Sequence, residues 1–367
     1  MKRKAESWMR FTRGERRAVS GGALAARRTI PSFSIPLPLI FLTSCCLVVL
    51  CLTAIASAQS CQSSGDLDDA ARTALTAAGQ RYLDMSAKGD TASLRQNAAA
   101  SLASDFSVVE GTVKDHQQDL AGAQATVKSV FLLEGEGTAP LPHAEFYCGA
   151  FGKSGQTAGS AVFVLDNLAP GKYGVVLFDV ASAKVKNTLS VVLQQAGSEW
   201  KLWWLYIKAA QIAGHDSEWF AARAREYKTK GQLHNAWLFY LQARSLVSPV
   251  PFMTTQATDK LYDEFQGMQP SDIPSPEKTT DLAGAGTTYK LTALFPEAVG
   301  DDLDLVVKYQ VTDASNSNQA YQSNVAVIKA LVAKYPETKD AFAAVVARAV
   351  DPSGRDYGTL LAMKDIK

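Results

Sequence analysis

The feature that most constrains this chain of 367 residues is a long uncharged segment close to its N-terminus. Thr29–Ser57 contains no charged residue, and Leu39–Ile55 is almost continuously apolar. The 28 residues before Thr29 carry a net charge of +7, and Ala56-Ser57-Ala58 ends the apolar stretch as an A-x-A cleavage signature. A basic head, an apolar stretch and small residues at its end are the parts of a secretory signal peptide. The sequence therefore predicts that residues 1–58 direct export.

The export segment has two further interpretations. Its apolar part, residues 39–55, is close to the length that spans a bilayer, which predicts a membrane anchor if the segment is not cleaved. Leu42-Thr43-Ser44-Cys45 is similar to a bacterial lipobox, although the residues after Cys45 stay apolar. In each case the basic head remains in the cytoplasm. We expect the rest of the chain in the periplasm or at the cell surface, touching a membrane only through an uncleaved N-terminal segment.

Charge and cysteine content narrow the possible partners of residues 59–367. This part carries a net charge of −6 and has no basic cluster, whereas nucleic-acid binding requires a positive surface. Cys61 and Cys148 are the cysteines outside the export segment. In an oxidising compartment they permit one disulfide. Alternatively, Cys148 is a buried free thiol and Cys61 lies on an N-terminal tail, and the sequence leaves both alternatives open.

Residues 59–212 change from a helical pattern to an extended one. Apolar spacing predicts a helix over Leu67–Lys88 and a second one over Thr91–Ala103, with Asp90 as its N-cap. Runs of β-branched and aromatic residues follow, separated by turns, as in antiparallel strands. These runs are Val127–Leu133, Ala144–Phe151, Ser160–Leu165, Tyr173–Val180, Thr188–Gln194 and Trp200–Ile207. The pattern predicts an α+β domain.

The last run contains Glu199-Trp200-Lys201-Leu202-Trp203-Trp204-Leu205-Tyr206 and completes an order of helices followed by a strand meander. In this order Leu67–Lys208 resembles the nuclear-transport-factor-2-like or cystatin-like α+β cone. The resemblance implies a curved antiparallel sheet that a final strand closes over the helices, with an apolar pocket inside the cone. A fold resemblance does not by itself imply a chemistry.

Residues 213–268 form a predicted helical segment in which Ser217–Pro249 resembles a single tetratricopeptide repeat. The positions that carry the resemblance are Phe220, Ala224, Tyr227, Gly231, Ala236, Tyr240, Ala243 and Pro249. The resemblance implies two antiparallel helices that approach closely at small residues, with a further helix, Thr255–Gln266, over the open face. Because arrays need about three such repeats to form a binding groove, the pair is predicted either as a structural hairpin docked on the sheet or as a peptide-binding site.

The C-terminal part of the sequence predicts a linker and a second, smaller domain. Residues 269–288 are rich in proline, glycine and polar residues, which is typical of a linker. Residues 289–367 predict a small α+β domain, which begins with Tyr289–Leu294 and a half-buried strand over Leu303–Val311. Its other predicted elements are the helices Asn318–Lys334 and Glu337–Ala349 and the strand Tyr357–Met363. The predicted fold class is thus α+β, with N-terminal helices, an antiparallel curved sheet, the tetratricopeptide-like hairpin and this small domain.

The candidate functional residues are aromatic. Strand alternation places Trp200, Trp204 and Tyr206 on one face of their strand and Trp203 on the other. These side chains are predicted either to form a core between the sheet and the helical hairpin or to line an apolar pocket that binds a small hydrophobic ligand. Trp200, Trp204 and Tyr206 are therefore the candidate ligand-binding residues.

The sequence lacks the usual motifs of catalysis and metal binding. Its four histidines do not have the spacing of metal ligands, and it contains no G-x-S-x-G elbow, so no metal, cofactor or catalytic residue is predicted. The leading expectation is a non-enzymatic protein-interaction or assembly module. The alternative is a small hydrophobic-ligand binder or a cone-type enzyme, whose base would be Asp105, or Asp115 with His116, the titratable groups nearest in sequence.

Overall fold

The computed structural model of the chain describes residues 59–153, 155–182, 185–275 and 278–366. The predicted export segment, residues 1–58, lies outside the described residues. Within the described part, none of the helices is long and apolar enough to cross a membrane. The fold is mixed α+β and its sheets are mainly antiparallel, which confirms the predicted fold class at that level.

Helices come first in the described chain, apart from one short strand. They are α1 (Asp69–Ala87), α2 (Thr91–Gln96), α3 (Ala100–Ala103) and α4 (Ser107–Leu120). Asp90 caps α2 as predicted, because its side chain accepts a hydrogen bond from Ser93 N. The helix predicted over Thr91–Ala103 is interrupted, because Ala99 N donates to Leu202 O at 2.8 Å and ties this backbone to a strand.

Two antiparallel sheets form the body of the first part. Its strands are β1 (Gln59–Ser63), β2 (Gln124–Gly135), β3 (Leu141–Cys148), β4 (Phe151–Gly152), β5 (Gly155–Gln156), β6 (Ala161–Leu168), β7 (Gly171–Ala181), β8 (Lys186–Ala196), β9 (Glu199–Ala209), β10 (Gln211–Ile212), β11 (His215–Asp216) and β12 (Met253–Thr255). The larger sheet has the order β1-β2-β7-β8-β9, and the smaller one has the order β12-β6-β3. The strands β4 and β5, and likewise β10 and β11, pair as short separate ribbons.

The larger sheet of the first part, with five strands, is covered on both faces. On one face Phe178 and Val191 pack with Leu75 of α1 and Val113 of α4. Helix α1 approaches β7 so closely at Gly79 that an added Cβ would lie 2.9 Å from Val176 Cγ1. On the other face a second core joins this sheet to the three-stranded one. Its largest members are Phe131, Phe146, Phe163 and Tyr173.

A helix pair lies in the chain between the sheets of the first part and the C-terminal sheet. It consists of α5 (Ser217–Thr229) and α6 (Leu233–Val247), and α7 (Gln256–Phe265) follows after β12. Gly231 makes the turn between α5 and α6 with φ of +75°. Every residue of α6 from Asn235 to Tyr240 is buried, so this helix is surrounded by other elements and does not present one open face. The tetratricopeptide assignment stays a prediction.

The C-terminal part is a five-stranded sheet with one long helix. Its elements are β13 (Thr280–Gly284), β14 (Thr287–Val299), β15 (Asp302–Gln310), α8 (Ser317–Lys334), β16 (Ala344–Val350) and β17 (Asp356–Ala362), with 3-10 helices at Pro336–Asp340 and Met363–Asp365. The strands lie in the sheet in the same order as in the chain. All neighbouring strands are antiparallel except β15 and β16, which are parallel and are connected by α8. The predicted helix over Asn318–Lys334 and the strands over Leu303–Val311 and Tyr357–Met363 are confirmed.

Two predictions for this part are wrong. Residues 269–288 are not only a linker, because Thr280–Gly284 forms β13, whose small and polar residues resemble linker composition. The predicted helix over Glu337–Ala349 is replaced by a 3-10 turn and the strand β16. The run Ala343–Val350 consists of alanine and valine apart from Arg348, and a short run of this kind does not distinguish a strand from a helix.

The helix pair and the C-terminal sheet belong to one hydrophobic core. Phe220, Phe239 and Tyr240 of the pair lie in the same cluster of buried residues as Val307 and Val345 of the sheet. Phe239 and Phe342 connect the two parts with their ring centroids 5.8 Å apart. The residue ranges 213–268 and 289–367 thus share a core.

Candidate functional site

The predicted aromatic site is divided by a β-bulge. In the pairing of β8 with β9, Val192 lies opposite Trp204 and Leu193 opposite Leu202, so Trp203 has no partner residue. One extra residue reverses the alternation of side chains along the strand. As a result Trp200 packs against the helix-side core, Trp203 and Tyr206 pack against the core between the two sheets, and Trp204 contacts both cores. The prediction that Trp200 shares a face with Trp204 and Tyr206 is wrong for this reason.

The aromatic side chains of β9 contact other aromatic residues of the chain. Tyr206 lies with its ring centroid 6.0 Å from Trp204 and 6.1 Å from Phe252. Trp203 packs edge-on against Tyr173 at 5.1 Å. Burial raises the pKa of Tyr206 well above its usual range. Two cavities, one against α1 and one against α8, are lined by other residues, and a Trp-lined ligand pocket stays a prediction.

The remaining predicted residues lie apart from this aromatic cluster. Cys61 and Cys148 form a disulfide with their Cα atoms 4.9 Å apart, which joins β1 to β3. Asp105 accepts a hydrogen bond from the Ser107 hydroxyl at 3.1 Å. Asp115 and His116 lie on α4, where His116 Nδ1 is 3.3 Å from Asp119 Oδ2. The carboxylates of Asp105 and Asp115 are exposed, so the structure does not bring these residues together with Trp204 and Tyr206.

One face of the helix pair is occupied by another part of the chain. Asn235, fully buried on α6, donates from Nδ2 to Glu337 O at 2.6 Å. Tyr227 of α5 donates its hydroxyl to Asp340 O at 3.0 Å, and Gln232 Nε2 donates to Asp340 Oδ2 at 2.6 Å. These polar side chains of the helix pair and its turn hold the 3-10 segment Pro336–Asp340.

A histidine between two carboxylates reinforces this contact. His234 Nδ1 is 2.7 Å from Glu337 Oε1, and His234 Nε2 is 2.9 Å from Asp272 Oδ1. The Tyr335 hydroxyl donates to Asp272 O at 2.9 Å, and burial raises the pKa of Tyr335 above its usual range. Burial of Asp272 opposes its ionisation, but the hydrogen bond and charge of His234 outweigh it and lower the pKa of this carboxyl. The cluster joins α6, the segment before β13 and the end of α8.

An open groove lies along α8. It has a volume of about 870 Å³ and runs between α8 and β13. Its lining consists of Asp281, Leu282, Ala283, Gly284 and Ala285 on one side and Gln322, Val325, Ala326, Lys329, Ala330, Ala333 and Lys334 on the other. Four consecutive residues of β13 and the loop residue Ala285 contribute, and among the described residues β14 contributes none. Because side chains of a strand alternate between faces, this lining shows that the groove exposes the edge of β13.

The edge of β13 carries unpaired backbone groups. β13 is the first strand in its sheet and pairs only with β14. Ala285 and Gly286 connect the two strands with φ of 51° and 77°, the conformation of a two-residue type I′ hairpin loop. In such a hairpin Gly284 and Thr287 form a hydrogen-bonded pair, and the pairs alternate along the ladder. The N–H and C=O groups of Asp281 and Ala283 therefore point away from β14 into the groove.

The helical wall of the groove is made of small and basic side chains. Val325, Ala326, Ala330 and Ala333 lie on one face of α8, at helical spacing. At Gly284 the strand approaches the helix so closely that an added Cβ would lie 2.6 Å from Ala330 Cβ. This site is not among those predicted from the sequence. Its one signal was the repeated alanine on the helix predicted over Asn318–Lys334, which also fits an ordinary exposed helix.

Neither metal-binding groups nor comparisons with known proteins give further information about this site. Within the described residues, no group of three or more His, Cys, Asp or Glu side chains is arranged to hold a metal ion. No protein-family model matches the chain, and neither a curated protein nor a solved structure matches it.

Proposed function

We propose that this chain is an exported, non-enzymatic protein-interaction module that binds an extended segment of another polypeptide along β13. The segment would lie in the groove between β13 and α8 and would extend the C-terminal sheet by one strand. The observation that carries the proposal is the edge of β13, whose backbone groups at Asp281 and Ala283 face the groove.

Strand addition suits this groove for two physical reasons. An exposed edge strand is a template for another chain, because its free N–H and C=O groups form ladder hydrogen bonds with any extended backbone. A helix beside the edge gives the alternate side chains of the added strand a surface to contact, and these contacts select among sequences. The groove combines the edge of β13 with the apolar face of α8.

The opposite edge of the same sheet also has an outward N–H. β17 is a terminal strand, and Leu360 is 46% exposed on it. The Asp351 N–H donates to Arg355 O and the Met363 N–H donates to Ala343 O, which places the hydrogen-bonded pairs at the odd-numbered residues of β17. The Leu360 N–H therefore points outward, and no residue of β17 lines the groove between β13 and α8. This edge supplies a matched control.

The proposed setting is outside the cytoplasm, as the N-terminal segment predicts. The net charge of −6 over residues 59–367 favours polypeptide partners over nucleic acid. The Cys61–Cys148 disulfide is compatible with an oxidising compartment. An interaction module of this kind needs no cofactor and no metal.

Selection from a random peptide library displayed on phage tests the proposal, with the exported protein as the target. Ala283→Pro removes an outward N–H without breaking the ladder to β14. Leu360→Pro makes the same change at the opposite edge. We expect selected peptides to bind the wild type and Leu360→Pro alike, and to lose at least about tenfold in affinity for Ala283→Pro. Peptides that bind Ala283→Pro as tightly as the wild type would contradict strand addition at β13.

Circular dichroism and thermal melting of each variant show whether it is folded. If Ala283→Pro does not fold, Ala333→Leu replaces it, because Ala333 is exposed on the helical side of the groove and a larger side chain there narrows the groove. The same loss of peptide binding is then expected. Retained binding by a folded Ala333→Leu protein would contradict the proposed site.

A further inference from the structure

We infer that the segment bound along β13 is acidic, with small side chains at the alternate positions that face α8 and a side-chain carboxylate that pairs with Lys329. This inference rests on the proposed function and specifies the partner of the same groove. Its grounds are the dimensions of the groove, the positions of its charged groups and the direction of its free backbone groups.

The small side chains follow from the distance between strand and helix. The closest approach is at Gly284, where no room exists for a Cβ in front of Ala330. Ala326, Ala330 and Ala333 leave shallow space along the same face of α8. An added strand directs every second side chain toward this face. Glycine, alanine or serine fits at those positions, whereas leucine or an aromatic residue would force α8 away from the sheet.

The charge preference follows from the lysines of α8. Lys329 and Lys334 both line the groove on its helical side. Lys334 is already engaged, at 3.7 Å from Asp272 Oδ2 and 4.9 Å from the ring centroid of Tyr335. Lys329 is exposed and has no ion pair within the described part of the chain. A carboxylate on the occupant would complement this charge.

Asp281, the acidic residue that lines the groove, does not cancel the preference for a carboxylate on the occupant. Leu282 is buried in the core below α8, so the side chain of Asp281, one residue earlier, points to the other face of the sheet. The side of the added strand that faces α8 therefore meets lysine alone among charged residues. Its opposite side meets Asp281.

An internal carboxylate fits better than a chain terminus. Capture of a C-terminal carboxylate uses a nest of backbone N–H groups. Here Asp281 and Ala283 each offer both an N–H and a C=O, a pattern that matches an extended backbone running past them. The positive groups are side-chain ammonium groups on α8. The occupant is thus a continuous acidic stretch of a partner polypeptide.

Synthetic peptides test this inference directly. The probe is a fluorescein-labelled peptide in which threonine alternates with alanine and the central alanine is replaced by glutamate, because threonine favours extended strands. Two companion peptides carry glutamine or lysine in place of that glutamate. A third carries leucine in place of the flanking alanines. Binding is measured by fluorescence anisotropy against the exported protein at low and high salt.

The variants separate charge from general surface effects. Lys329→Glu reverses the charge at the groove, and Lys364→Glu makes the same change on an exposed lysine in the 3-10 helix after β17. We expect the glutamate peptide to bind Lys329→Glu at least about tenfold more weakly, and the lysine peptide to bind that variant more tightly than the wild type. Lys364→Glu should match the wild type, and high salt should weaken only the glutamate peptide.

Other results would overturn the inference in distinguishable ways. If peptides bind through β13, as shown by sensitivity to Ala283→Pro, but Lys329→Glu and leucine substitution have no effect, the acidic and small character is wrong while the proposed function stands. If no peptide depends on Ala283, both fail. If sedimentation shows a dimer that Ala283→Pro dissociates, the occupant is a second copy of this chain, and the inferred acidic partner is wrong.

Discussion

The face of the helix pair and the groove beside β13 both offer groups that hold a passing backbone, yet only one of them is open. On the helix pair, Asn235 and Tyr227 donate to carbonyls of the chain's own 3-10 segment Pro336–Asp340. At β13, the groups of Asp281 and Ala283 face an open groove. The comparison shows that this face of the helix pair is used for contacts within the chain.

The reason for the difference is chemical. Buried side-chain amides such as Asn235 need a partner at all times, because an unpaired buried polar group is costly. The chain supplies that partner permanently. An edge strand keeps its backbone groups hydrated until another chain arrives, so it can remain open in a stable protein.

Removing the aromatic contact that seals the helix pair should have the largest effect. Phe342 is 5% exposed and packs against Phe239. We expect Phe342→Ala to reduce the free energy of unfolding by about 3 to 5 kcal/mol, the usual cost of truncating a buried phenylalanine. Urea denaturation measures this loss. Tyr321→Ala, on the 48% exposed tyrosine of α8, should cost less than about 0.5 kcal/mol, and equal effects of the two would refute the occupied face.

Loss of the Asn235 amide should have the next largest effect. Asn235→Ala removes the donor to Glu337 O inside a site that excludes water. We expect a loss of about 1 to 3 kcal/mol in unfolding free energy. The same substitution at exposed Asn318 provides the control and should be nearly neutral. A neutral Asn235→Ala would mean that the 3-10 segment is not held by this hydrogen bond.

Proline substitutions distinguish the two directions of backbone groups on β13. Leu282→Pro removes an N–H that bonds to β14 and should cost about 3 kcal/mol or more. Ala283→Pro removes an outward N–H and should cost less than about 1 kcal/mol. Thermal melting of both variants gives the comparison. The reverse order would place Ala283, and not Leu282, in the ladder with β14.

The smallest expected effect is the loss of stability at low pH that comes from Asp272 in the His234 cluster. Because the pKa of Asp272 is lowered in the folded state, its ionised form contributes stability that is present above the unfolded pKa. That contribution is lost as pH falls through the folded pKa, below the ordinary value of 3.8. Carboxyl-carbon NMR should show Asp272 titrating below 3.8. A midpoint at or above that value would show that His234 and Asp272 do not interact in solution.

The sequence predicted most elements but not the relations between them. Helix α8 and the cap at Asp90 follow from apolar spacing and side-chain chemistry, which are local. The bulge at Trp203 does not, because a single unpaired residue leaves no mark on an alternating aromatic strand. Strand β16 differs from the predicted helix because its run of alanine and valine fits both structures, although its burial alternates in the fold.

The groove could not be derived from the sequence for a similar reason. Composition made residues 269–288 a linker, since Leu282 is the one large apolar residue of β13. The open edge depends on which strand pairs with β14, and the close approach of Gly284 to Ala330 depends on tertiary packing. Neither the open edge nor this close approach leaves a local pattern in the sequence.

Hydrogen exchange, measured amide by amide in the free protein, tests most directly whether the edge of β13 is open. The Leu282 and Gly284 amides bond to β14 and should exchange more than about a hundredfold more slowly than an unprotected amide. The Asp281 and Ala283 amides should exchange within about tenfold of the unprotected rate, and a bound acidic peptide should slow them. If Asp281 and Ala283 are already as slow as Leu282 in the free protein, another segment covers this edge and the groove is not a binding site.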